Sequence, residues 1–416
     1  MQLVADVGGI PGRDCNGFCK YCYFRKVKEV KSFGCAHCLP NKIGCERCSK
    51  GVSETQGDFK SPFEVMNEVQ TAMMMGMGHQ GEISAYISGG GDISCYPHLE
   101  SLTANLNQFS ISSVLGYTCG KGITDSDMAT RLINNGVKEV SFTIFSSNPK
   151  LRKEWVKDPN PTEALKACQI FCESIDLTGA AVIIPGVNDG DVLRETCNSL
   201  EEWGAKGMLL MRFANTFNEG LILGNEPIIK GLESQPVEEF GELVKQINSE
   251  YKFRVSGTPI CDPETGGPFA IAKDENEVFL QFIKPITGEA TVITSKIAEP
   301  YLTKIFSKLE TGENVNIVAC EKEIACLITK EDLEKLDLSE IKDTVIIPGR
   351  SFVHQLDAER ILSADGVDRL IGRGPDTLSV DGELSIDMTD ENVIERELEE
   401  FNDLVDAINF FGMRRI

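Results

Sequence analysis

The sequence has few basic residues, few histidines and no long apolar run. Its 41 Lys and Arg against 64 Asp and Glu give a formal net charge of −23, which repels phosphate backbones and anionic lipids. Apolar stretches such as AAVII are too short to span a bilayer, and the N-terminal MQLVADVGGI lacks the basic and apolar parts of an export signal. We therefore expect a soluble cytoplasmic protein that binds neither nucleic acid nor membrane.

Disulfides are excluded by the same lack of an export signal, because cytosolic thiols are kept reduced. The 15 cysteines therefore favour metal binding or catalysis. The length of 416 residues predicts two or three domains, and no low-complexity tract indicates disorder.

Three cysteines lie close together in RDCNGFCKYCYFRK: Cys15, Cys19 and Cys22. Three thiolates can hold a four-iron cube and leave one iron open, whereas an electron-transfer cluster needs a fourth cysteine. The spacing, with Tyr21 before the last cysteine, resembles the signature of radical S-adenosylmethionine (SAM) enzymes. The alternative is that Cys35 completes an ordinary ferredoxin-like centre.

A second group of cysteines follows at once in CAHCLPNKIGCERC, with two C-x-x-C pairs at Cys35, Cys38, Cys45 and Cys48. This spacing predicts a closed four-thiolate site for zinc or one iron ion, within a loop spanning residues 23–60. A closed site has no open position for chemistry, so we expect a structural role. Four unligated thiols are the alternative.

Alternating strand and helix patterns continue to residue 255. The six strand patterns are MQLVADV, EISAYIS, SSVLGYT, VKEVSFTIFS, LTGAAVIIPGVND and KGMLLMRFAN. A helix with a capping box begins at Ser61, with Glu64 in the capping-box position. We predict an α/β fold in which residues 1–255 form a partial (β/α)6 radical SAM barrel.

The second strand pattern runs into Gly89, Gly90, Gly91 and Asp92. The radical SAM resemblance implies that this turn holds the amino group of SAM and that Tyr21 also contacts SAM. A plain glycine turn is the alternative.

Residues 256–416 differ in pattern from the barrel. Short strand patterns at EVFLQFI, ATVITS and NVNIVAC are separated by turn signals and followed by an amphipathic tail helix, DENVIERELEEFNDLVDAINFFG. We predict an α+β domain with this helix facing its core.

The whole chain is similar to the methanogenesis marker protein 10 family. The resemblance depends on the cysteine-hairpin loop after the cluster motif, on Tyr23 beside Cys22 and on the compact C-terminal domain. It implies a methyltransferase that modifies an unactivated sp3 carbon of one arginine in the alpha subunit of methyl-coenzyme M reductase. The implied cofactors are a 4Fe-4S cluster, SAM, cobalamin and a further Fe or Zn ion, with an external electron donor.

The resemblance places cobalamin in the C-terminal domain, where Asn316–Ile328 is our candidate segment facing the corrin. With only four histidines and no D-x-H-x-x-G motif, a histidine-ligated cobalamin is disfavoured. We further predict that Tyr23 is catalytic, its phenol screening the open iron until substrate arrives. Simple packing is the alternative role.

A guanidinium group needs carboxylates and an aromatic face. The candidate substrate contacts are Tyr117, Glu154, Trp155 and Asp158, although an ordinary solvated charge cluster explains them equally well. Two further functions stay open. A radical SAM peptide maturase would carry an auxiliary iron–sulfur cluster on the second cysteine group, and a non-enzymatic metal-binding scaffold would not cleave SAM.

Overall fold

A computed structural model describes residues 1–26, 57–75, 81–220, 227–349, 351–375 and 388–413. These residues form a seven-stranded sheet and a four-stranded sheet. The predicted metal site of Cys35, Cys38, Cys45 and Cys48 lies outside the described residues and stays a prediction. Within the described ranges, no helix is both long and apolar enough to cross a membrane.

The seven strands of the larger sheet follow chain order, and every neighbouring pair is parallel. They are β1 (Gln2–Asp6), β2 (Ser84–Ser88), β3 (Ser112–Thr118), β4 (Val137–Thr143), β5 (Asp176–Ile183), β6 (Gly207–Arg212) and β7 (Arg254–Thr258). An order that never reverses puts all right-handed crossovers on one face, as in a β/α barrel or part of one. The predicted α/β fold is confirmed.

Helices of the barrel region pack their buried faces against this sheet in one core. They are α1 (Pro62–Met75), α2 (Leu99–Gln108), α3 (Asp127–Asn134), α4 (Pro161–Ser174), α5 (Gly190–Trp203) and α6 (Val237–Glu250). The capping box of α1 is present: the Ser61 N–H donates to Glu64 Oε2 at 2.8 Å, and the Glu64 N–H donates to Ser61 Oγ at 3.3 Å.

Strand β7 was not predicted, and it carries the sheet past the expected boundary at residue 255. Its three central residues, Val255, Ser256 and Gly257, are all buried, but only Val255 is a large apolar residue. Two small residues in the middle of a five-residue strand hide the hydrophobic signal of a buried strand.

The four-stranded sheet has the order β9-β8-β10-β11, again with all pairs parallel. The strands are β8 (Ala290–Ser295), β9 (Val315–Cys320), β10 (Thr344–Ile347) and β11 (Leu370–Arg373), accompanied by helices α7 (Glu299–Lys308), α8 (Gln355–Leu362) and α9 (Asp390–Phe411). The α+β arrangement predicted for this region is therefore corrected to a parallel α/β arrangement. Its strand order reverses between β8 and β10, and such a switch point leaves a crevice at the carboxyl ends of the strands.

The predicted strand at EVFLQFI is wrong, because residues Asp274–Phe282 form a 3-10 helix. Within this helix Val278 and Phe282 are 59% and 60% exposed, and Leu280 is its buried residue. The apolar residues gave the sequence pattern of a strand, but in the structure most of them are not buried against a sheet.

The two regions meet where the loop after β9 reaches the barrel. Lys322 Nζ donates to the carbonyl of Phe217 at 2.6 Å, and Arg212 Nη1, at the end of β6, pairs with Glu323 Oε2 at 2.7 Å. The carboxyl edge of the smaller sheet thereby contacts the mouth of the barrel.

Helix α9 packs on the smaller sheet as predicted, with Phe401, Val405 and Ile408 fully buried. Glu397 lies on the same buried face and is 2% exposed. Its carboxylate accepts the N–H groups of Ala270 at 2.8 Å and Ile271 at 3.0 Å. Burial raises the pKa of Glu397 to about 7, although these N–H groups favour the charged form.

Glu397 makes stability depend on pH. Because its pKa rises from 4.5 to about 7 on folding, the folded state holds a proton that the unfolded state loses. The contribution of Glu397 to the free energy of unfolding is highest below pH 4.5 and should fall by about 3 kcal/mol up to pH 8. Denaturant titrations should find this fall reduced in Glu397→Gln and retained in Glu395→Gln, an exposed control on the same helix. Equal pH profiles for all three proteins would contradict the assignment.

Candidate active site at the barrel mouth

The loop after β1 carries the three cysteines of the first motif. Two short 3-10 turns, Arg13–Cys15 and Tyr23–Lys26, flank the loop, and Gly12 enters it with a φ of 81°. This conformation favours glycine. Cys15, Cys19 and Cys22 are all partly exposed and sit at the carboxyl edge of the sheet, where parallel barrels place their chemistry.

A hydrogen-bond donor lies beside each of the three sulfurs. The Gly12 N–H donates to Cys15 Sγ at 3.4 Å, the Phe24 N–H lies beside Cys22, and the Cys119 thiol lies beside Cys19. The Cys119 thiol lowers the pKa of Cys19, while burial raises the pKa of Cys22 to about 12. Donors aimed at sulfur stabilise thiolates, so the loop fits an iron–sulfur cluster held by three cysteines.

No described trio of His, Cys, Asp or Glu side chains is arranged for a single metal ion.

The glycine turn after β2 packs directly under the cluster loop. A Cβ on Gly89 would lie 2.5 Å from the Gly8 carbonyl oxygen, and one on Gly91 would lie 2.8 Å from the Asp14 carbonyl oxygen. The Gly90 N–H donates to the Gly8 carbonyl at 3.0 Å. The glycines therefore allow two loops to touch, which adds a packing reason to their predicted role in binding SAM.

Asp92 is an anchor between strand ends. Its buried carboxylate accepts five hydrogen bonds. The donors are the Ser94 N–H and Oγ, Thr118 Oγ1 at 2.6 Å, and the N–H groups of Cys119 and Lys121 at 3.1 and 3.4 Å. These bonds join the ends of β2 and β3, so the carboxylate is already occupied without a SAM amino group.

Tyr21 belongs to an aromatic stack. Its ring lies 5.1 Å from that of Phe145, and the Phe145 ring lies 6.2 Å from that of Trp155. Burial raises the pKa of Tyr21 well above its usual value, so its hydroxyl stays protonated beside Cys19. Tyr21 is 7% exposed, and its stacking on Phe145 anchors the cluster loop, of which it is part, to the barrel.

Tyr23 points toward the end of β6. The Ala214 N–H donates to its phenolic oxygen, and Arg212 is nearby. Burial raises the pKa of Tyr23, so the phenol is neutral in this arrangement. The screening of the open iron by this phenol stays a prediction.

The four predicted substrate contacts are not equivalent. Glu154 is exposed and pairs with Lys20 at 2.6 Å, which lowers its pKa. The same ammonium lies 4.7 Å from the centre of the Trp155 ring. Tyr117 is 40% exposed on β3.

Asp158 is instead fully buried in an ion pair with Arg152 at 2.8 Å. The guanidinium also donates to the carbonyls of Ile144 and Cys119, both at 2.5 Å. Asp158 therefore has no access to the mouth, and we remove it from the substrate contacts. The sequence did not reveal Arg152 as its partner, because both residues lie in KLRKEWVKDPN, and a stretch of mixed charges is usually exposed to solvent.

Two further residues of the site were missed: Cys119 and Lys121, in TCGKG directly after β3. Lys121 is 1% exposed, and its Nζ donates to the Gly17 carbonyl at 2.5 Å. Polar residues just past a parallel strand are the signal that could have found them, since such ends meet at the mouth.

Comparison with known proteins agrees with this geometry. The Radical SAM superfamily model matches residues 10–195, which contain the cluster loop and strands β2 to β5. The chain contains a radical SAM domain. A radical SAM domain implies a 4Fe-4S cluster and SAM, and the cysteine loop fits the cluster.

Solved structures similar to the chain include SuiB from Streptococcus suis, at 12% identity and a TM-score of 0.41 over 64% of this chain and 51% of SuiB. A radical SAM methyltransferase from Sphaerobacter thermophilus aligns at 17% identity and a TM-score of 0.35, over 54% of this chain and 62% of that one. The methyltransferase TsrM from Kitasatospora setae aligns at 15% identity and a TM-score of 0.29, over 44% of this chain and 33% of TsrM. The alignment therefore spans about half of SuiB. No curated protein matches the chain in sequence.

Asp92→Asn tests whether the carboxylate anchors the loops or binds SAM. Its amide would place N–H against the N–H groups of Cys119 or Lys121, so we expect a loss of about 1–3 kcal/mol in the free energy of unfolding. SAM affinity, measured by calorimetry, should change less than threefold. Asp191→Asn, at an exposed position in the first turn of α5, is the control. Unchanged stability with strongly weakened SAM binding would instead make Asp92 a SAM contact.

Proposed function

We propose that this protein is a radical SAM methyltransferase that adds a methyl group to an sp3 carbon of an arginine in the alpha subunit of methyl-coenzyme M reductase. The observation that carries the enzyme class is the cysteine loop at the mouth of a radical SAM domain, with a donor beside every sulfur. The arginine and its protein rest on the resemblance to the methanogenesis marker protein 10 family.

The chemistry requires a radical route. An aliphatic C–H of arginine has no useful acidity, so a general base at pH 7 cannot remove its proton. A reduced cluster with SAM supplies hydrogen-atom abstraction when both are bound. The chain's own residues hold the cluster, exclude water with the Tyr21–Phe145 stack and position the substrate.

Glu154 and Trp155 are the proposed guanidinium contacts. Lys20 already places one cation between this carboxylate and this ring. A guanidinium makes the same pair of contacts, with a bidentate fork that an ammonium lacks. We propose that a substrate arginine displaces Lys20 from Glu154 and that the exposed ring of Tyr117 is a further contact.

Cobalamin is the proposed methyl donor to the substrate. The crevice at the switch point between β8 and β10 is lined by Thr294, Ala325, Pro348, Gly374 and Leu404, among other mostly apolar residues. Its position fits the general location of ligands in such sheets, and Ala325 belongs to the candidate segment Asn316–Ile328. Cobalamin is too large for this crevice to enclose, so these residues would contact only one edge of it.

The test combines SAM cleavage with peptide modification. With reductant, methylcobalamin and an arginine peptide from the reductase, wild type should form 5′-deoxyadenosine and a peptide heavier by one methylene, measured by mass spectrometry. Cys15→Ala, Cys19→Ala and Cys22→Ala should each form less than about a hundredth as much, since a cube missing one thiolate is lost or mispoised.

Cys197→Ala is the matched control, because this buried thiol lies on α5 outside the loop. Undiminished cleavage in a loop variant would end the radical SAM assignment. A peptide lighter by two hydrogens would indicate cross-linking by a peptide maturase, and absence of cleavage in the wild type would leave a metal-binding scaffold.

Tyr23→Phe tests the proposed role of the phenol in timing SAM use. The variant keeps the ring and removes the oxygen that accepts the Ala214 N–H. We expect normal iron content and SAM binding, but a ratio of methylated peptide to 5′-deoxyadenosine at least threefold lower. An unchanged ratio would assign Tyr23 to packing alone.

A further inference from the structure

Lys121 is a buried cation at the cluster loop with an unusual set of neighbours. The side chain is 1% exposed, and its Nζ donates to the Gly17 carbonyl at 2.5 Å. Its backbone is fixed on both sides: the N–H donates to Asp92 Oδ2 at 3.4 Å, and the carbonyl accepts from Asn16 Nδ2 at 3.1 Å. The ammonium therefore has a defined position beneath the loop.

This ammonium forms no ion pair with a carboxylate of the described residues. Asp92 acts on it electrostatically without pairing with it, and the Asp92 carboxylate already accepts five hydrogen bonds. A second buried lysine among the described residues, Lys322, has Asp332 at 3.8 Å. Burying a cation that no carboxylate contacts is costly, so the site of Lys121 favours a further negative partner.

The groups that surround Lys121 are thiols of the cluster loop and its neighbour. Burial lowers the pKa of Lys121, but the sulfurs of Cys19, Cys119 and Cys15, together with the Asp92 carboxylate, raise it by more than burial lowers it. A cluster held by thiolates at this loop carries negative charge, and one-electron reduction adds another unit. Nearby positive charge and hydrogen bonds to sulfur raise the potentials of such clusters.

We propose that Lys121 is the buried counter-charge of the iron–sulfur cluster and that it favours the reduced form. The step is the transfer of one electron from an external low-potential donor to the cluster. No protein bond forms or breaks, and Lys121 keeps its proton. Lys121 is thus a positioning and electrostatic residue, while the cysteines alone bind iron.

The inference rests on the cluster in the proposed function and is independent of the substrate. Failure to methylate arginine would leave the potential of the cluster measurable, so the two failures are distinguishable. The direct readout is a redox titration of the anaerobically reconstituted protein, followed by electron paramagnetic resonance, with iron quantified in each sample.

Lys121→Met removes the charge and keeps the length of the side chain. At the wild-type midpoint, its ratio of reduced to oxidised cluster should be about tenfold lower, equivalent to a potential about 59 mV more negative. Lys121→Arg should stay close to wild type. Lys138→Met removes the same charge from an exposed position on β4 and should leave the ratio unchanged.

An unchanged ratio in Lys121→Met with full iron content would overturn the proposal. An unchanged ratio with SAM affinity weakened tenfold would make Lys121 a contact of the SAM carboxylate instead. If Lys121→Met folds but loses iron, retention of the cluster in Lys121→Arg supports the counter-charge. Loss of iron in both variants would leave only a structural role for Lys121.

Discussion

The carboxylate of Asp92 is the interaction on which the site depends. Its five hydrogen bonds join the segment after β2 to the segment after β3. The first segment carries the glycines on which the cluster loop lies, and the second carries Cys119 and Lys121 beneath that loop. A single buried acid therefore fixes the relative positions of the two segments that surround the three cysteines.

Two cations are buried at the barrel mouth of a strongly acidic chain. A protein with a formal charge of −23 buries Lys121 and Arg152 against its cluster loop. Arg152 pairs directly with Asp158, whereas Lys121 has sulfurs and the unpaired charge of Asp92 around it. Acidic surface keeps polyanions away, while the buried cations favour electron-rich species at the centre.

Local signals in the sequence were enough for much of this arrangement. The cysteine spacing, the capping box at Ser61 and six of seven barrel strands are short-range patterns, and the structure contains all of them. The partners of Asp92 and Asp158 are not short-range patterns, because a carboxylate is equally plausible as a ligand or as an anchor until its donors are known. Strand β7 and the 3-10 helix Asp274–Phe282 were misjudged because small buried residues and exposed apolar residues reverse the usual relation between hydrophobicity and burial.

The bonds between the loop after β9 and the barrel bear on how the chain can be divided. A fragment ending after β7 would leave Arg212 at the barrel mouth without Glu323, and the Phe217 carbonyl without Lys322. A fragment starting at β8 would carry the complementary unpaired groups. The two sheets are thus poor candidates for separate expression or for exchange between relatives, and changes on one side of this contact should be accompanied by changes on the other.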